Sequence, residues 1–191
     1  MLFIMNIGFL SLGGNLGGVQ NTFVLALRAL NSRNMAVTAK SSLYSGKALG
    51  MPIGTPDFIN MVCKIHTEME AEEVLRELLQ VETQFGRDRK HDSGKGSQSR
   101  TLDLDIIFFN NEIIQTSQLM VPHPRMHLRP FVLLPLIEIK CPIIHPVLEK
   151  SLPALLSRCP ADAVIPTKLD SQLQDGYDQQ RLQSIMEINE K

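Results

Sequence analysis

Between Phe58 and Phe109 the hydrophobic pattern changes period twice, which limits the chain to a layered mixture of strands and helices. Phe58 to Thr67 is a mainly apolar run of strand composition. Glu68 to Phe85 then carries Val74, Leu75, Leu78, Leu79 and Phe85 on one side of a helix, with acids in the first turns, where they complement the helix dipole. Thr101 to Phe109 returns to strand-like alternation. A helix with one apolar stripe between two such strands buries that stripe only by lying on the sheet they form.

The first part of the chain has the same grammar. Leu2 to Leu10 reads as a buried strand, closed by a turn cluster at Ser11-Leu12-Gly13-Gly14-Asn15. Val19, Phe23, Val24, Leu27 and Leu30 predict an amphipathic helix over about 19–31, and residues 35–44 a strand. Residues 45–57, with three Gly and two Pro, form a loop. After Phe109, Asn110-Asn111 predicts a turn and Glu112 to Gln115 a short return strand. Phe131 to Ile139 is the apolar part of a Pro- and His-rich segment. The order β-α-β-β-α-β predicts an α+β, ferredoxin-like sandwich with a mainly antiparallel sheet and helices packed on it. One domain spans residues 1–159. From 160 onward the chain reads as an extension without an assigned role: Asp162 to Lys191 holds six acids against three bases, and its end (Leu182, Ile185, Met186) predicts a weak helix.

Composition narrows the class. Nineteen Lys and Arg balance twenty Asp and Glu, so charge supplies no argument for a nucleic-acid partner or an acidic membrane. The 43% of apolar residues in a chain of 191 suffices for a core without disulfides or structural metal. Cys63, Cys141 and Cys159 are odd in number and form no C-x-x-C pair, which suits a reducing compartment. No apolar run approaches the roughly 20 residues a membrane span needs. Met1 to Leu12 has no Lys or Arg ahead of its apolar stretch, so it reads as a first strand and the chain as cytoplasmic.

The sharpest chemical signal is Leu102-Asp103-Leu104-Asp105-Ile106. In a strand the leucines and Ile106 point into the core and both aspartates out of the other face. Two strand rises separate their Cα atoms by about 6.7 Å. At an effective dielectric near 20 the two charges would repel by roughly 2.5 kcal/mol. A divalent cation between them relieves that repulsion. Alternating Asp and Leu also describe an ordinary half-solvated strand, so the surroundings decide. Before the strand lie Arg87, Arg89, Lys90, Lys95 and Arg100 against Asp88 and Asp92, and after it His123, Arg125, His127 and Arg129. Guanidinium forks match phosphate oxygens. An acid pair beside such clusters suits a polyphosphate bound as its magnesium salt. The glycine cluster at 13–18 lacks the G-K-[ST] ending of a P-loop, and neither H-E-x-x-H nor G-x-S-x-G occurs.

Taken as a set, several blocks resemble a known family. They are Ser11-Leu12-Gly13-Gly14-Asn15-Leu16-Gly17; Phe58-Ile59-Asn60; Glu82 with Phe85-Gly86-Arg87-Asp88-Arg89; Arg100-Thr101-Leu102-Asp103-Leu104-Asp105; and Val121-Pro122-His123-Pro124-Arg125 with Arg129-Pro130-Phe131-Val132-Leu133. In order and approximate spacing, over about residues 5–158, they are similar to the 6-hydroxymethyl-7,8-dihydropterin pyrophosphokinase family of folate biosynthesis. The resemblance implies transfer of the β,γ-diphosphate of ATP to the pterin hydroxymethyl group, with release of AMP. It implies two Mg²⁺ ions on Asp103 and Asp105, and Arg87 and Arg89 closing over the phosphates as catalytic residues. Glu82, Arg89, Arg100, Ile106, His123 and Arg129 would bind ATP. Leu49, Phe58, Asn60 and Phe131 would bind the pterin, the two rings sandwiching it and the amide reading its edge. The implied partners are ATP and the pterin, with no nucleic acid or membrane, for a monomer or a homodimer.

The chain departs from the family pattern at Gly46-Lys47-Ala48-Leu49-Gly50, where a T-x-P-x-G type of stretch is usual, and at Gly96-Ser97-Gln98-Ser99 before Arg100; it has no Trp. Two further readings stand beside the kinase: a relative that binds nucleotide or pterin without turnover, and a two-metal phosphodiesterase built on the same acids. A glycine- and serine-rich loop at 86–100 is expected to move over the nucleotide.

Overall fold

The computed structural model describes residues 5–48, 51–87, 99–160 and 162–169. Its spine is β1 (Asn6–Gly14), flanked on both sides by antiparallel partners, β4 (Phe58–Thr67) and β5 (Asp103–Phe109). On the far side of β4 lie β2 (Ala36–Lys40) and β3 (Tyr44–Gly46), which pair with successive parts of it. Sheet order is β5-β1-β4-β3, continued at the edge by β8 (Thr167–Lys168). The fold is the expected α+β sandwich with an antiparallel sheet.

Side-chain alternation along the sheet builds two cores. Leu10, Leu12, Met61, Cys63, Ile65, Leu104 and Ile106 face α1 (Val19–Ser32) and α2 (Ala71–Gln84), which contribute Phe23, Leu27, Leu30, Val74, Leu78 and Val81. Each large side chain so buried contributes about 1.5–3 kcal/mol of hydrophobic stabilisation. On the opposite face Phe9, Val62, Ile107 and Phe108 meet α3 (Pro130–Glu138) and α4 (Leu152–Leu156) through Val132, Leu133, Leu136, Leu152 and Leu155. A bulge permits the exchange of faces within β5. Phe9 pairs with Phe108 and Leu10 with Ile106, leaving Ile107 as the extra residue, so Ile107 and Phe108 join the same core. The α3 and α4 contacts cover one end of this face; toward the other end it carries Ser11, Gly13, Asn60, Asp103 and Asp105.

Several local expectations are corrected. Ser11 to Gly14 are strand rather than turn, because β1 has partners on both sides along that stretch: Ser11 pairs with Val62 and Asp105, and Gly13 with Asn60 and Asp103. Gly14 is a required glycine, since a Cβ there would lie 2.6 Å from the Thr101 carbonyl oxygen. The single strand expected at 35–44 is two. It is interrupted by a bulge between Val37 and Ala39 and by Ser41, whose hydroxyl accepts the Val62 N–H at 3.0 Å in place of a ladder carbonyl. The return strand does not run back along β5. Asn110 ties the end of β5 to β1, donating its N–H to the Ile7 carbonyl at 2.7 Å and accepting the Ile7 N–H at 2.8 Å, and the chain leaves the sheet. β6 (Ile114–Gln115) instead pairs with β7 (Met120–Val121) in a separate ribbon.

Helix α2 starts later than its acidic run suggested, where the Glu73 carboxylate accepts the Glu70 N–H at 2.9 Å as a capping box. Among the described residues no helix is long and apolar enough to cross a membrane. The helix expected around Leu182 and the loop 88–98 lie outside the described residues.

Candidate active site

The uncovered end of the sheet is the floor of a cleft of about 870 Å³. Ser11 and Gly13 of β1, Phe58 and Asn60 of β4, and Asp103 and Asp105 of β5 supply the floor. Arg87, Arg100, His123, Arg125 and Arg129 stand around the acid pair, and Phe131, Gly46, Lys47, Ala48, Ala163 and Val164 also line the cleft.

The two aspartates share a face, as the alternation required, but their surroundings differ. Asp103 is held by two guanidinium groups: Arg87 donates to one carboxylate oxygen and Arg100 to the other, at 2.7 Å. Arg87 is itself oriented from below by Glu82, which accepts from it at 2.5 Å and from the Leu104 backbone N–H at 2.7 Å. Glu82 is 1% exposed, so its charge is sustained by these hydrogen bonds. The arrangement is a relay from α2 through Arg87 to β5.

Asp105 has only looser neighbours, the His123 ring with Nε2 at 3.7 Å and the Arg129 guanidinium with Nη1 at 3.9 Å, and it accepts no hydrogen bond among the described residues. Burial and then the Asp103 charge push its carboxyl up to about 6. His123 is anchored by its N–H to the Ile107 carbonyl at 3.0 Å, so the bulge of β5 positions it. Its Nδ1 accepts the Arg125 backbone N–H at 3.1 Å. Burial, with Arg129 and Arg125 nearby, pushes the ring down to about 4, so it is neutral at pH 7 and carries its proton on Nε2. Arg129 Nη1 approaches that nitrogen at 3.4 Å, which sets two donors against each other. An anion between them would satisfy both.

The donor chemistry fits a magnesium ion. Asp105 is a hard oxygen ligand short of positive charge, paired with a second carboxylate on the same face. No group of three His, Cys, Asp or Glu side chains among the described residues could hold a metal unaided. Magnesium commonly takes one or two carboxylates and completes its shell with water and substrate phosphates.

At the other end of the cleft the lining changes from charge to flat surfaces and small groups. Phe58 and Phe131 are both half-buried, and the Arg129 guanidinium carbon lies 5.6 Å from the Phe131 ring centre. Asn60 is 6% exposed and its amide makes no hydrogen bond among the described residues. A Cβ on Gly13 would stand 3.1 Å from Asn60 Oδ1, so the glycine leaves room for the amide.

Of the residues singled out in the sequence, Arg87, Arg100, Asp103, Asp105, His123, Arg129, Phe58, Asn60 and Phe131 all line this one cleft. Two do not. Glu82 lies beneath it, behind Arg87, and Ile106 is 4% exposed in the core against the helices. The alternation that turns Asp105 into the cleft turns Ile106 away. Arg89 and Leu49 lie outside the described residues. Ser11, Lys47, Ala48, Arg125, Leu128, Ala163 and Val164 line the cleft although sequence reasoning did not assign them to the site. Arg125 was legible in the basic run after β7. Val164 carried no local signal, since its position depends on the chain returning to the sheet edge.

Fold and site together define a phosphate-handling α+β protein with an acid pair ringed by guanidinium groups and an aromatic, amide-bearing subsite. Comparison with known proteins makes the class specific. Residues 9–141 match the family model for 7,8-dihydro-6-hydroxymethylpterin-pyrophosphokinase (HPPK), and the chain belongs to that family. It is 40% identical over 139 residues to the 2-amino-4-hydroxy-6-hydroxymethyldihydropteridine pyrophosphokinase of Haemophilus influenzae, covering 72% of this chain and 84% of that one. The Bacillus subtilis protein of the same name is 42% identical over 139 residues, covering 70% and 78%. Among solved structures, Plasmodium falciparum HPPK-DHPS with pteroate superposes with a TM-score of 0.62 at 14% identity, over 81% of this chain and 42% of that longer one. That likeness concerns the fold.

Proposed function

We propose that this chain transfers the diphosphate of ATP to 6-hydroxymethyl-7,8-dihydropterin, giving AMP and the pterin diphosphate, as a magnesium-dependent diphosphokinase of folate biosynthesis acting in the cytoplasm. The observation that carries the reading is the sharing of one cleft by the acid pair, the guanidinium ring and the Phe58–Asn60–Phe131 subsite. Named relatives at 40% and 42% identity, both pyrophosphokinases of this pterin, support it. The catalytic core in this reading is residues 1–159, and the extension from 160 onward returns to it through Ala163 and Val164 at the cleft and β8 at the sheet edge.

Asp103 and Asp105 would hold Mg²⁺, two ions in this reading, and the metal would supply charge neutralisation at the phosphate oxygens. Arg100 and Arg129 bind phosphate oxygens, and His123 offers its Nε2–H to the same anion. Arg87, oriented by Glu82, and Arg89 stabilise charge that develops as the diphosphate moves. Phe58 and Phe131 hold the flat heteroaromatic between their faces while Asn60 bonds its polar edge. The described residues supply no strong general base for the hydroxyl, so positioning and electrostatic stabilisation carry the rate. The balanced net charge and the aromatic subsite both favour a kinase of a small heterocycle over a phosphodiesterase acting on nucleic acid.

The test is incubation with ATP, Mg²⁺ and 6-hydroxymethyl-7,8-dihydropterin, separating AMP from ADP. AMP release that depends on the pterin is the expected result. Binding of both substrates without AMP would establish the non-catalytic relative instead.

A further inference from the structure

The chain beyond residue 141, where the family match ends, returns to the cleft. Residues 163–168 run along the free edge of β3. Thr167 pairs with Ser45 and Lys168 with Tyr44, and the Leu169 N–H donates to the Leu43 carbonyl at 2.8 Å. Lys168 Nζ donates to Glu138 at 2.7 Å on α3, and the same carboxylate accepts from the Tyr44 hydroxyl at 3.1 Å and the Ser42 hydroxyl at 2.7 Å. This strap is therefore tied both to the sheet edge and to the helix whose first turn carries Phe131.

Ahead of those ties its side chains separate by environment. Ile165 is 66% exposed, whereas Pro166 is buried and Val164 half-buried, and Ala163 and Val164 line the cleft. The strap packs directly over Gly46: a Cβ built there would lie in van der Waals contact with Val164 Cγ1 at 3.5 Å and Pro166 Cβ at 3.6 Å. The strap thus stands beside Gly46-Lys47-Ala48, the stretch in which the sequence departs from the family pattern, and it turns small apolar groups toward the space that Phe58, Asn60 and Phe131 also line.

We propose that Ala163 and Val164 are specificity-determining residues for the pterin, forming an apolar outer wall of its subsite. The inference rests on the reading of that subsite given above. The wall contacts the heterocycle and excludes water from beside it, while the phosphate end of the cleft, built by Asp103, Asp105, Arg100 and Arg129, does not depend on it. Its signature is a loss confined to one substrate.

The test uses full-length protein carrying Val164→Asp, which puts a charge in the wall, Val164→Thr, which keeps the shape, and Val164→Ile, which keeps the apolar character. Pterin binding is read from the ligand's own fluorescence and binding of a non-hydrolysable ATP analogue by calorimetry, with thermal melts of every variant. Pterin affinity should fall about tenfold or more in Val164→Asp and by a smaller factor in Val164→Thr, stay near wild type in Val164→Ile, and ATP-analogue affinity should move by less than about twofold throughout. Equal losses for both ligands, or a lowered melting temperature without a selective loss, would overturn the proposal, as would unchanged pterin binding in the two polar variants. If Val164→Asp does not fold, Val164→Thr decides alone. Wild-type protein that binds pterin but releases no AMP would remove the transfer reaction and leave the wall to be judged by these variants; failure to bind pterin at all would overturn both.

Discussion

Arg87 reaches down 2.5 Å to Glu82, a carboxylate that is only 1% exposed, and up to Asp103 at the cleft floor. A helix side chain with no access to the cleft thereby sets the position of a guanidinium inside it. Glu82 also accepts the Leu104 N–H at 2.7 Å, so one buried acid organises both α2 and β5.

Removing that acid should cost stability as well as rate. Glu82→Ala strands a buried backbone N–H and one side of Arg87, and breaking a buried pair costs about 3–5 kcal/mol. Denaturant unfolding of Glu82→Ala should show a loss of that order. Glu82→Gln, which can still accept from Leu104, should lose less. An unchanged midpoint for Glu82→Ala would remove the relay.

Asp105 should behave in the opposite way. It accepts no hydrogen bond among the described residues, so Asp105→Ala leaves no buried donor without its acceptor. AMP release should fall by about 10³-fold or more, a loss comparable to removing other electrostatic stabilisers. The thermal midpoint should stay within about 4 °C of wild type, corresponding to roughly 1 kcal/mol. Wild-type enzyme treated with a chelator should stop in the same assay. Retained turnover with Mg²⁺ present would sink the metal-binding role of Asp105.

Gly13 offers a test of the amide subsite. A methyl group there would stand 3.1 Å from Asn60 Oδ1, so the amide must shift by a few tenths of an ångström. Gly13→Ala should raise the KM for pterin about tenfold, with a smaller effect on the KM for ATP, because a displaced amide mispairs with the heterocycle edge. Steady-state kinetics with each substrate varied in turn would read the split.

Glu138 supplies a pH dependence. Burial alone would push its carboxyl up, but the hydrogen bonds from Lys168, Ser42 and Tyr44 outweigh this and hold it below the ordinary glutamate range. Its folded-state value is therefore depressed, and the stability it contributes is present above the unfolded value, about 4.3, and is lost as pH falls through the folded value. The melting-temperature gap between wild type and Glu138→Gln should be constant near neutrality and shrink below about pH 4.3. A gap independent of pH down to 3 would show that the carboxylate's charge does not contribute.

Much of this protein was legible in one dimension. Period-two alternation placed Asp103 and Asp105 on one face and Leu104 and Ile106 on the other, because successive strand side chains must diverge. Helical spacing located α1 and α2 to within a few residues, since an amphipathic stripe is a local property of the chain. Resemblance in the motif blocks nominated nine residues that share the cleft. The tertiary structure decided what depended on distant partners. Ser11 to Gly14 became strand because β4 and β5 flank them, a pairing no local glycine signal encodes. Glu82 moved beneath the site and Ile106 into the core through packing against elements far away in sequence. The strap at 163–168 owes its place to an open edge on β3 and to Glu138, both supplied by other parts of the chain. Local periodicity follows from covalent geometry, whereas edges, bulges and cleft walls exist only once separate segments compete for the same hydrogen bonds and buried volume.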